Sequence, residues 1–467
     1  MSSTSSSYKP VLWLNNTNMW LFLIGIALIL VGKDLFAEGM FLDGVFYASI
    51  SRNMACGMGD FWNPYYTETI GSVFHSHLPL ALGLEALMFK AFGDHFFIER
   101  LYSLLMFLLS GLMIVLVWKR TTNNIRWAWM PLLYWIAMPL VSWSVSNNML
   151  ENTMTFFVLL SVYLMIVSYQ KNNKIWLFLA GLSLFAAVFS KGVTGLFPLA
   201  FPLVYCFFDE KRHWFQGIVD GLLLLVTLAV LAGLMFLIFP QSLGYMKDYI
   251  NLQLIGGAMQ EVTVASRFFI VFKLLQELIG PVVIMAVLLI VDKAVMKSKV
   301  KVFEFPPDKR RFLVFLITGL TGVLPIMVSM KQSGFYMVAA LPFFALAMGH
   351  ASVGMVNSIK GSLKPDYHRR VFVMCLSCVV ISVGAFMPLS GINKCCRDEV
   401  LLKEVKEVLA ETGEERVLGI DQADYSQWAW HAYVMRYGKV SLDDRNPHKY
   451  KLLNDTGYPK VILTSDF

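Results

Sequence analysis

Asp43-Gly44-Val45-Phe46-Tyr47-Ala48 opens, and His75-Ser76-His77-Leu78-Pro79-Leu80 closes, a loop set between two long apolar stretches. A carboxylate at a water–lipid boundary, followed by an aromatic loop with His and Pro, fits chemistry on a substrate carried in lipid. The rest of the chain reads as membrane. Of its 467 residues 57% are hydrophobic and 15% charged, whereas soluble proteins carry about 25% charged residues; mean hydropathy is +0.60. Several windows reach the roughly 20 apolar residues that cross a hydrocarbon core. Backbone groups in lipid must be satisfied within the segment, so these are helices. The formal charge of +7 comes from basic residues clustered between the apolar stretches. That is the pattern of cytoplasmic loops, and it excludes nucleic acid as the partner.

The fold expected is an α-helical polytopic membrane protein of about eleven spans. They run over Trp20–Leu35, Ile98–Trp118, Trp127–Val141, Asn152–Tyr169, Ile175–Phe189, Val193–Phe208, Phe215–Phe239, Phe268–Val291, Phe312–Ser329, Phe335–Gly349 and Val371–Leu389. Lys119, Arg120, Arg126, Lys171, Lys174, Lys211, Arg212, the run Lys293 to Arg311, Lys360, Lys364, Arg369 and Arg370 then share one side. That side is cytoplasmic under the positive-inside rule. The N-terminus lies inside and the C-terminus outside. The first apolar stretch lacks a small-residue cleavage site after it and reads as a retained helix rather than a signal peptide.

Residues 1–391 form the membrane domain in this reading. Its first outer loop, 37–97, carries interfacial helices, with Phe46, Tyr47, Phe61, Trp62, Tyr65 and Tyr66 suited to headgroup depth. Residues 392–467 form a small extracytoplasmic α/β domain. Its cues are helical spacing over Asp398–Ala410 and strand-like runs at Arg416–Ile420 and Lys460–Thr464. Of 6 cysteines, Cys206, Cys375 and Cys378 fall in apolar spans. Cys56, Cys395 and Cys396 fall outside, where a Cys56 disulfide to one of the adjacent pair competes with three free thiols.

Ionisable residues in or at the ends of spans are costly and so are functional candidates. Asp43 at the outer mouth reads either as a general base or as an interfacial charge. Glu151 starts the fourth span, as an acid favourable at a helix N-terminus or as part of the same cavity. Lys191 lies in Ser190-Lys191-Gly192 and either snorkels or binds phosphate near the next helix start. Lys331, Tyr336 and Arg267 stand at other outer ends, and cations gathered there suit a lipid phosphate. His75 and His77, two apart, face one way in an extended loop and make half of a metal site, with no second half visible. No Walker motif, dinucleotide fingerprint or catalytic-serine elbow appears. An enzyme here uses a substrate already activated in the membrane.

These residues resemble the GT-C superfamily of membrane glycosyltransferases, in the branch of the lipid A aminoarabinose transferases and protein O-mannosyltransferases. Asp43-Gly44-Val45-Phe46-Tyr47-Ala48 resembles the first-loop segment whose Asp is the proposed base. His77-Leu78-Pro79-Leu80 is similar to the His/Lys-Pro-Pro-Leu element. Gly93 and Arg100 fit the Gly…Arg pattern before the second span, and Ser190-Lys191-Gly192 the Lys-Gly turn. Lys331-Gln332-Ser333-Gly334-Phe335-Tyr336, continuing to Pro342, resembles Lys-x4-Tyr-x5-Pro. Leu78 replaces the first Pro. Glu151 stands for the usual Asp, and Asn147 or Asn148 for the usual Arg. Ser76 stands where aminoarabinose transferases carry an acidic metal ligand.

The resemblance implies transfer of a hexosyl or pentosyl group from a polyprenyl-phosphate-linked donor to lipid A, another glycan or protein, with inversion. The expected setting is a bacterial inner membrane with the site facing the periplasm and the enzyme a monomer among membrane lipids. It assigns Asp43 and Glu151 to catalysis and His77, Lys191, Arg267, Lys331 and Tyr336 to the donor phosphate. No cofactor is assigned; a divalent metal has His75 and His77 as its partial ligands. The competing reading is a transporter or flippase for a lipid-linked glycan, which favours polar residues at the bilayer midplane.

Overall fold

The computed structural model describes residues 16–209, 212–257, 261–296, 309–362, 367–455 and 458–463. Among them, seven helices are long and apolar enough to cross a membrane: Ile98–Thr122, Glu151–Lys171, Trp214–Ile238, Phe269–Lys293, Lys309–Val328, Gly334–Ile359 and Val371–Gly391. A further pair, Ile125–Ile136 and Pro139–Ser146, meets at a 75° bend, and three shorter apolar helices cover Thr17–Gly32, Ile175–Lys191 and Val193–Phe208.

The bend corrects the straight third span expected over Trp127–Val141. Pro139 cannot continue a helix, because its ring displaces the carbonyl four residues back and it has no N–H, but it suits the first turn of a new one. The N–H of Leu140, freed by the break, donates to the buried carboxylate of Glu277 at 2.8 Å. A backbone donor that would otherwise be orphaned in an apolar core is thereby satisfied.

Helix Glu151–Lys171 packs between Ile98–Thr122 and Ile175–Lys191. Side-chain hydrogen bonds fasten it to its neighbours: Asn152 donates to Ser103 Oγ at 2.9 Å and accepts from Ser144 Oγ at 2.9 Å. Tyr102 and Thr153 share a bond of 2.7 Å. Between helices that lipid covers equally well, such polar contacts and close packing set the register. Helix Asn16–Gly32 lies along Tyr367–Phe386, which joins the two ends of the apolar region.

The loop between the first two spans carries two helices, Leu42–Ala55 and Leu80–Phe92. The first presses against the connection preceding Glu151. A Cβ on Gly44 would lie 2.1 Å from the carbonyl oxygen of Asn147, so only glycine permits this approach. Phe41 N–H donates to Asn147 Oδ1 at 2.7 Å. Buried Arg100 gathers the carbonyls of Ala37, Gly39 and Ser146. The residue that fits the resemblance's Arg position is therefore a tie. It fixes the strand of chain leading into Asp43.

The C-terminal segment folds around helices Glu399–Thr412 and Trp428–Gly438 and strands β1 (Val417–Ile420), β2 (Ser441–Asp443), β3 (Tyr450–Asp455) and β4 (Tyr458–Leu463). The sheet order is β2-β1-β3-β4, with β1 parallel to both neighbours and β3 antiparallel to β4. Helix Trp428–Gly438 sits on helix Leu42–Ala55. Arg52, 1% exposed, donates to the terminal carbonyls of Met435 at 2.6 Å and Arg436 at 3.2 Å and pairs with Asp94 at 3.1 Å. Arg436 pairs with Asp94 at 2.8 Å and Glu99 at 3.0 Å. Buried charges survive only when several partners compensate their desolvation, as here. The two cations hold the C-terminal segment to the loop that carries helices Leu42–Ala55 and Leu80–Phe92. The disulfide alternative is not realised: Cys56 faces Lys439, and Cys396 the carbonyl of Gly39.

Candidate active site

Asp43 and Tyr47 lie one turn apart on helix Leu42–Ala55, so they share a face. Asp43, Tyr47, Ser76, His77, Leu42, Phe46, Phe74 and Trp428 line a chamber of about 330 Å³. A second cavity, about 650 Å³, is walled by apolar side chains, with His77, Lys191, Tyr249, Gln253, Lys331 and Tyr336 among its polar ones. His77 lines both.

The divide between them is a hydrogen-bonded chain. Glu151, 0% exposed, pairs with Lys191 Nζ at 3.2 Å. Lys191 Nζ donates to Tyr47 Oη at 3.3 Å, and Tyr47 Oη and His77 Nε2 are 3.1 Å apart. The ammonium also faces the rings of Tyr47 and Phe335. Lys191 ends helix Ile175–Lys191, where a cation is favoured by the helix dipole. Gly192 follows at φ +123°, and a Cβ there would overlap the Tyr249 hydroxyl at 2.0 Å. Glycine thus lets the phenol close on the lysine turn.

Lys331 reaches the same cavity from the turn before Gly334. Buried Gln332 anchors that turn. It accepts from Ile270 N–H at 3.0 Å and donates to the carbonyls of Arg267 and Ser329 at 3.0 and 2.8 Å. Lys331 itself pairs with the exposed Glu261 at 2.9 Å. Tyr336 follows in the 3-10 turn Gly334–Ala340.

Burial raises the Asp43 carboxyl above the ordinary aspartate value, and Lys191 and Lys331 act against that rise. Burial, reinforced by the same two cations, pushes the His77 imidazole well below its usual range. His77 is therefore neutral at pH 7 and interacts with an anion by its N–H rather than by charge. Burial raises the Tyr47 phenol well above its usual range, so it stays protonated.

The structure thus brings together Asp43, Glu151, His77, Lys191, Lys331 and Tyr336 around two adjoining spaces. Arg267 is not brought in. It is exposed and donates to the carbonyl of Val328 at 2.8 Å, closing the end of the turn Leu324–Val328. His75 and His77 do not face one way. His75 turns to Asp248 at 2.7 Å and to the carbonyl of Trp62 at 3.1 Å, its ring tilted against that of Tyr245. The loop there is not extended, and the alternation expected of a strand fails. Among the described residues no group of three or more His, Cys, Asp or Glu stands together as metal ligands. His75 and His77 do not fit a shared metal.

Tyr47, Tyr249 and Trp428 escape a sequence reading. Tyr47 looks like one more interfacial aromatic, although its i, i+4 spacing from Asp43 is a usable signal. Trp428 is remote in sequence and gives none.

Residues 76–237 match the family model described as dolichyl-phosphate-mannose-protein mannosyltransferase. No curated protein matches the chain. Among solved structures, ArnT from Cupriavidus metallidurans bound to undecaprenyl phosphate is 17% identical with a TM-score of 0.60, over 91% of this chain and 86% of that one. Its apo form gives 16% and 0.60 over 91% and 89%. The apo oligosaccharyltransferase of Archaeoglobus fulgidus gives 13% and 0.52 over 94% of this chain and 65% of that one. The chain thus shares its fold with ArnT and the archaeal oligosaccharyltransferase, and its residues 76–237 are similar to the mannosyltransferase family model.

Proposed function

We propose that the protein moves a sugar from a polyprenyl-phosphate-linked donor to an acceptor hydroxyl at the outer face of the membrane, with inversion at the anomeric carbon. One observation carries this reading: a cavity holding Lys191, Lys331 and Tyr336 adjoins a chamber holding Asp43, and His77 belongs to both. Lys191, Lys331, Tyr336 and His77 hold the donor phosphate by charge-assisted and neutral hydrogen bonds. Asp43 takes the acceptor proton as the acceptor oxygen bonds to the anomeric carbon. The bond from that carbon to the phosphate oxygen breaks, and its electron pair leaves on the phosphate. A phosphate leaving group needs cations more than a proton, so one carboxylate suffices where glycoside hydrolysis uses two. Glu151 keeps the Lys191 ammonium charged and in place within an apolar wall.

The binding of undecaprenyl phosphate by a protein of the same fold supports the choice of donor. In this reading the bent pair and the three shorter apolar helices also cross the membrane, which makes eleven spans. Residues 1–391 form the membrane domain and 392–467 an extracytoplasmic unit. The protein sits in a bacterial inner membrane with both chambers open to the periplasm.

The test uses the full chain in lipid nanodiscs with radiolabelled polyprenyl-phosphate sugars and envelope lipids, glycans and proteins as acceptors. Label should enter a new glycosidic bond with wild type and not with Asp43→Asn, while both bind polyprenyl phosphate. Movement of the donor across sealed vesicles without bond formation would establish the transporter instead.

A further inference from the structure

We infer that the chamber beside Asp43 is an acceptor subsite for a neutral pyranose ring, with Trp428 of the C-terminal segment as its stacking platform. The inference deepens the proposed function and rests on that reading for the role of Asp43.

The chamber's chemistry differs in kind from that of the neighbouring cavity. Its polar groups are the Asp43 carboxylate, the Ser76 hydroxyl, the Tyr47 phenol and the His77 imidazole; its remaining walls are Leu42, Phe46, Phe74 and Trp428. Among the described residues, no lysine or arginine lines it. An anionic acceptor would meet the Asp43 carboxylate directly, with Lys191 and Lys331 acting only from the neighbouring cavity, at a cost that grows as water is excluded. A neutral polyol meets a carboxylate that accepts hydrogen bonds, two hydroxyls that give and take them, and aromatic faces for its C–H surface. The volume, about 330 Å³, stands at the small end of ligand sites and suits one ring rather than an extended oligosaccharide.

Trp428 is 53% exposed although it adjoins buried residues. An indole of that size left half-open at the mouth of a polar chamber is an unused apolar face. Its position is not incidental to a floppy tail. Trp428 begins helix Trp428–Gly438, whose far end is clamped by Arg52 and by the pairs of Arg436 with Asp94 and Glu99. Midway, the Tyr433 hydroxyl donates to Asp398 at 2.9 Å beside Met40. The platform is therefore rigidly referred to the helix that carries Asp43. A peptide hydroxyl would use Asp43 equally well, but it offers no flat C–H face to the indole. The pyranose belongs to a free glycan or to a glycolipid headgroup.

Saturation-transfer NMR on the full chain in nanodiscs tests the inference, with soluble methyl hexopyranosides in one arm and membrane-anchored alkyl hexopyranosides in another. A serine-containing peptide and a sugar phosphate complete the panel. Polyprenyl phosphate binding is followed in parallel by thermal shift. Wild type should saturate the ring C–H protons of a neutral pyranoside in at least one arm. Trp428→Ala should weaken that binding about tenfold, and Trp428→Phe should restore part of it. The polyprenyl phosphate shift should be the same in all three. Because Trp428 is half-exposed at a helix start, its loss leaves the fold intact, and that equal shift verifies it. Equal pyranoside binding by Trp428→Ala, or binding of the peptide or sugar phosphate alone, overturns the inference and leaves the donor assignment standing. Pyranoside binding that depends on Trp428 in a protein that ignores polyprenyl phosphate upholds the subsite and sinks the proposed donor.

Discussion

The two spaces that meet at His77 are built by opposite means. The larger is walled by membrane helices, and its cations come from residues that end or precede them, Lys191 and Lys331. The smaller is walled by the loop that carries Asp43 and by the C-terminal segment, and among its described lining residues the one carboxylate, Asp43, faces no lysine or arginine. The first concentrates positive charge in apolar surroundings, where an anion is held most strongly. The second keeps a carboxylate out of hydrogen-bonding reach of the cations, which on the proposed function leaves it basic enough to take a proton. On the proposed function, a Lys191 bonded to Asp43 rather than Glu151 would neutralise the base and weaken the phosphate site together. The structure avoids this by giving Lys191 its own buried acid.

Four tests probe that division of labour, from the largest expected effect down. Asp43→Asn removes the base and should lower turnover by about 10²–10⁴-fold with donor binding kept, as for loss of a general base; turnover within a few-fold of wild type would remove Asp43 from the chemistry. Lys191→Met strands Glu151 in an apolar wall and should cost about 3–5 kcal/mol of stability in addition to donor binding. The double change with Glu151→Gln should recover stability in a denaturation assay but not donor binding. Recovery of both would make Lys191 only a structural partner. Lys331→Ala, which leaves a more open site, should raise donor KM about tenfold with little change in kcat. A kcat loss at unchanged KM would contradict a binding role.

The fourth test reads the coupling across the divide. As the proposed base Asp43 must be unprotonated, and burial raises its pKa above the ordinary aspartate value while Lys191 and Lys331 hold it back. Activity should therefore fall as pH drops through a value above that of a free aspartate. Removing Lys331 takes away a group that lowers this pKa, so the acid limb of kcat/KM in Lys331→Ala should move to higher pH. A limb that stays in place or moves down would mean that the two chambers do not sense each other.

Much of this was open to reading in the chain because lipid makes charge expensive. Asp43, Glu151, Lys191 and Lys331 stand out against long apolar runs, and their positions at span ends supply a side and a depth. The same logic misplaced Arg267, because a charge beside a span can equally satisfy a backbone carbonyl, as it does at Val328. His75 was misread because the loop's turns, set by its contacts with Trp62 and Asp248, break the two-residue alternation. The bend at Pro139 was marked by the proline, but only the tertiary partner Glu277 makes a break there affordable. Tyr47 was visible and misfiled: an aromatic at headgroup depth is common, and nothing local says that its hydroxyl bridges Lys191 and His77. Trp428 and the Arg52–Asp94–Arg436–Glu99 cluster depend on contacts across hundreds of residues, which periodicity does not carry.

The most direct measurement is a structure of the full chain in nanodiscs with polyprenyl phosphate bound. The account expects the phosphate in the larger cavity, within hydrogen-bonding distance of Lys191, Lys331 or Tyr336, with His77 between it and the Asp43 carboxylate. A phosphate seated beside Asp43 and Trp428, or bound away from both lysines, would contradict it.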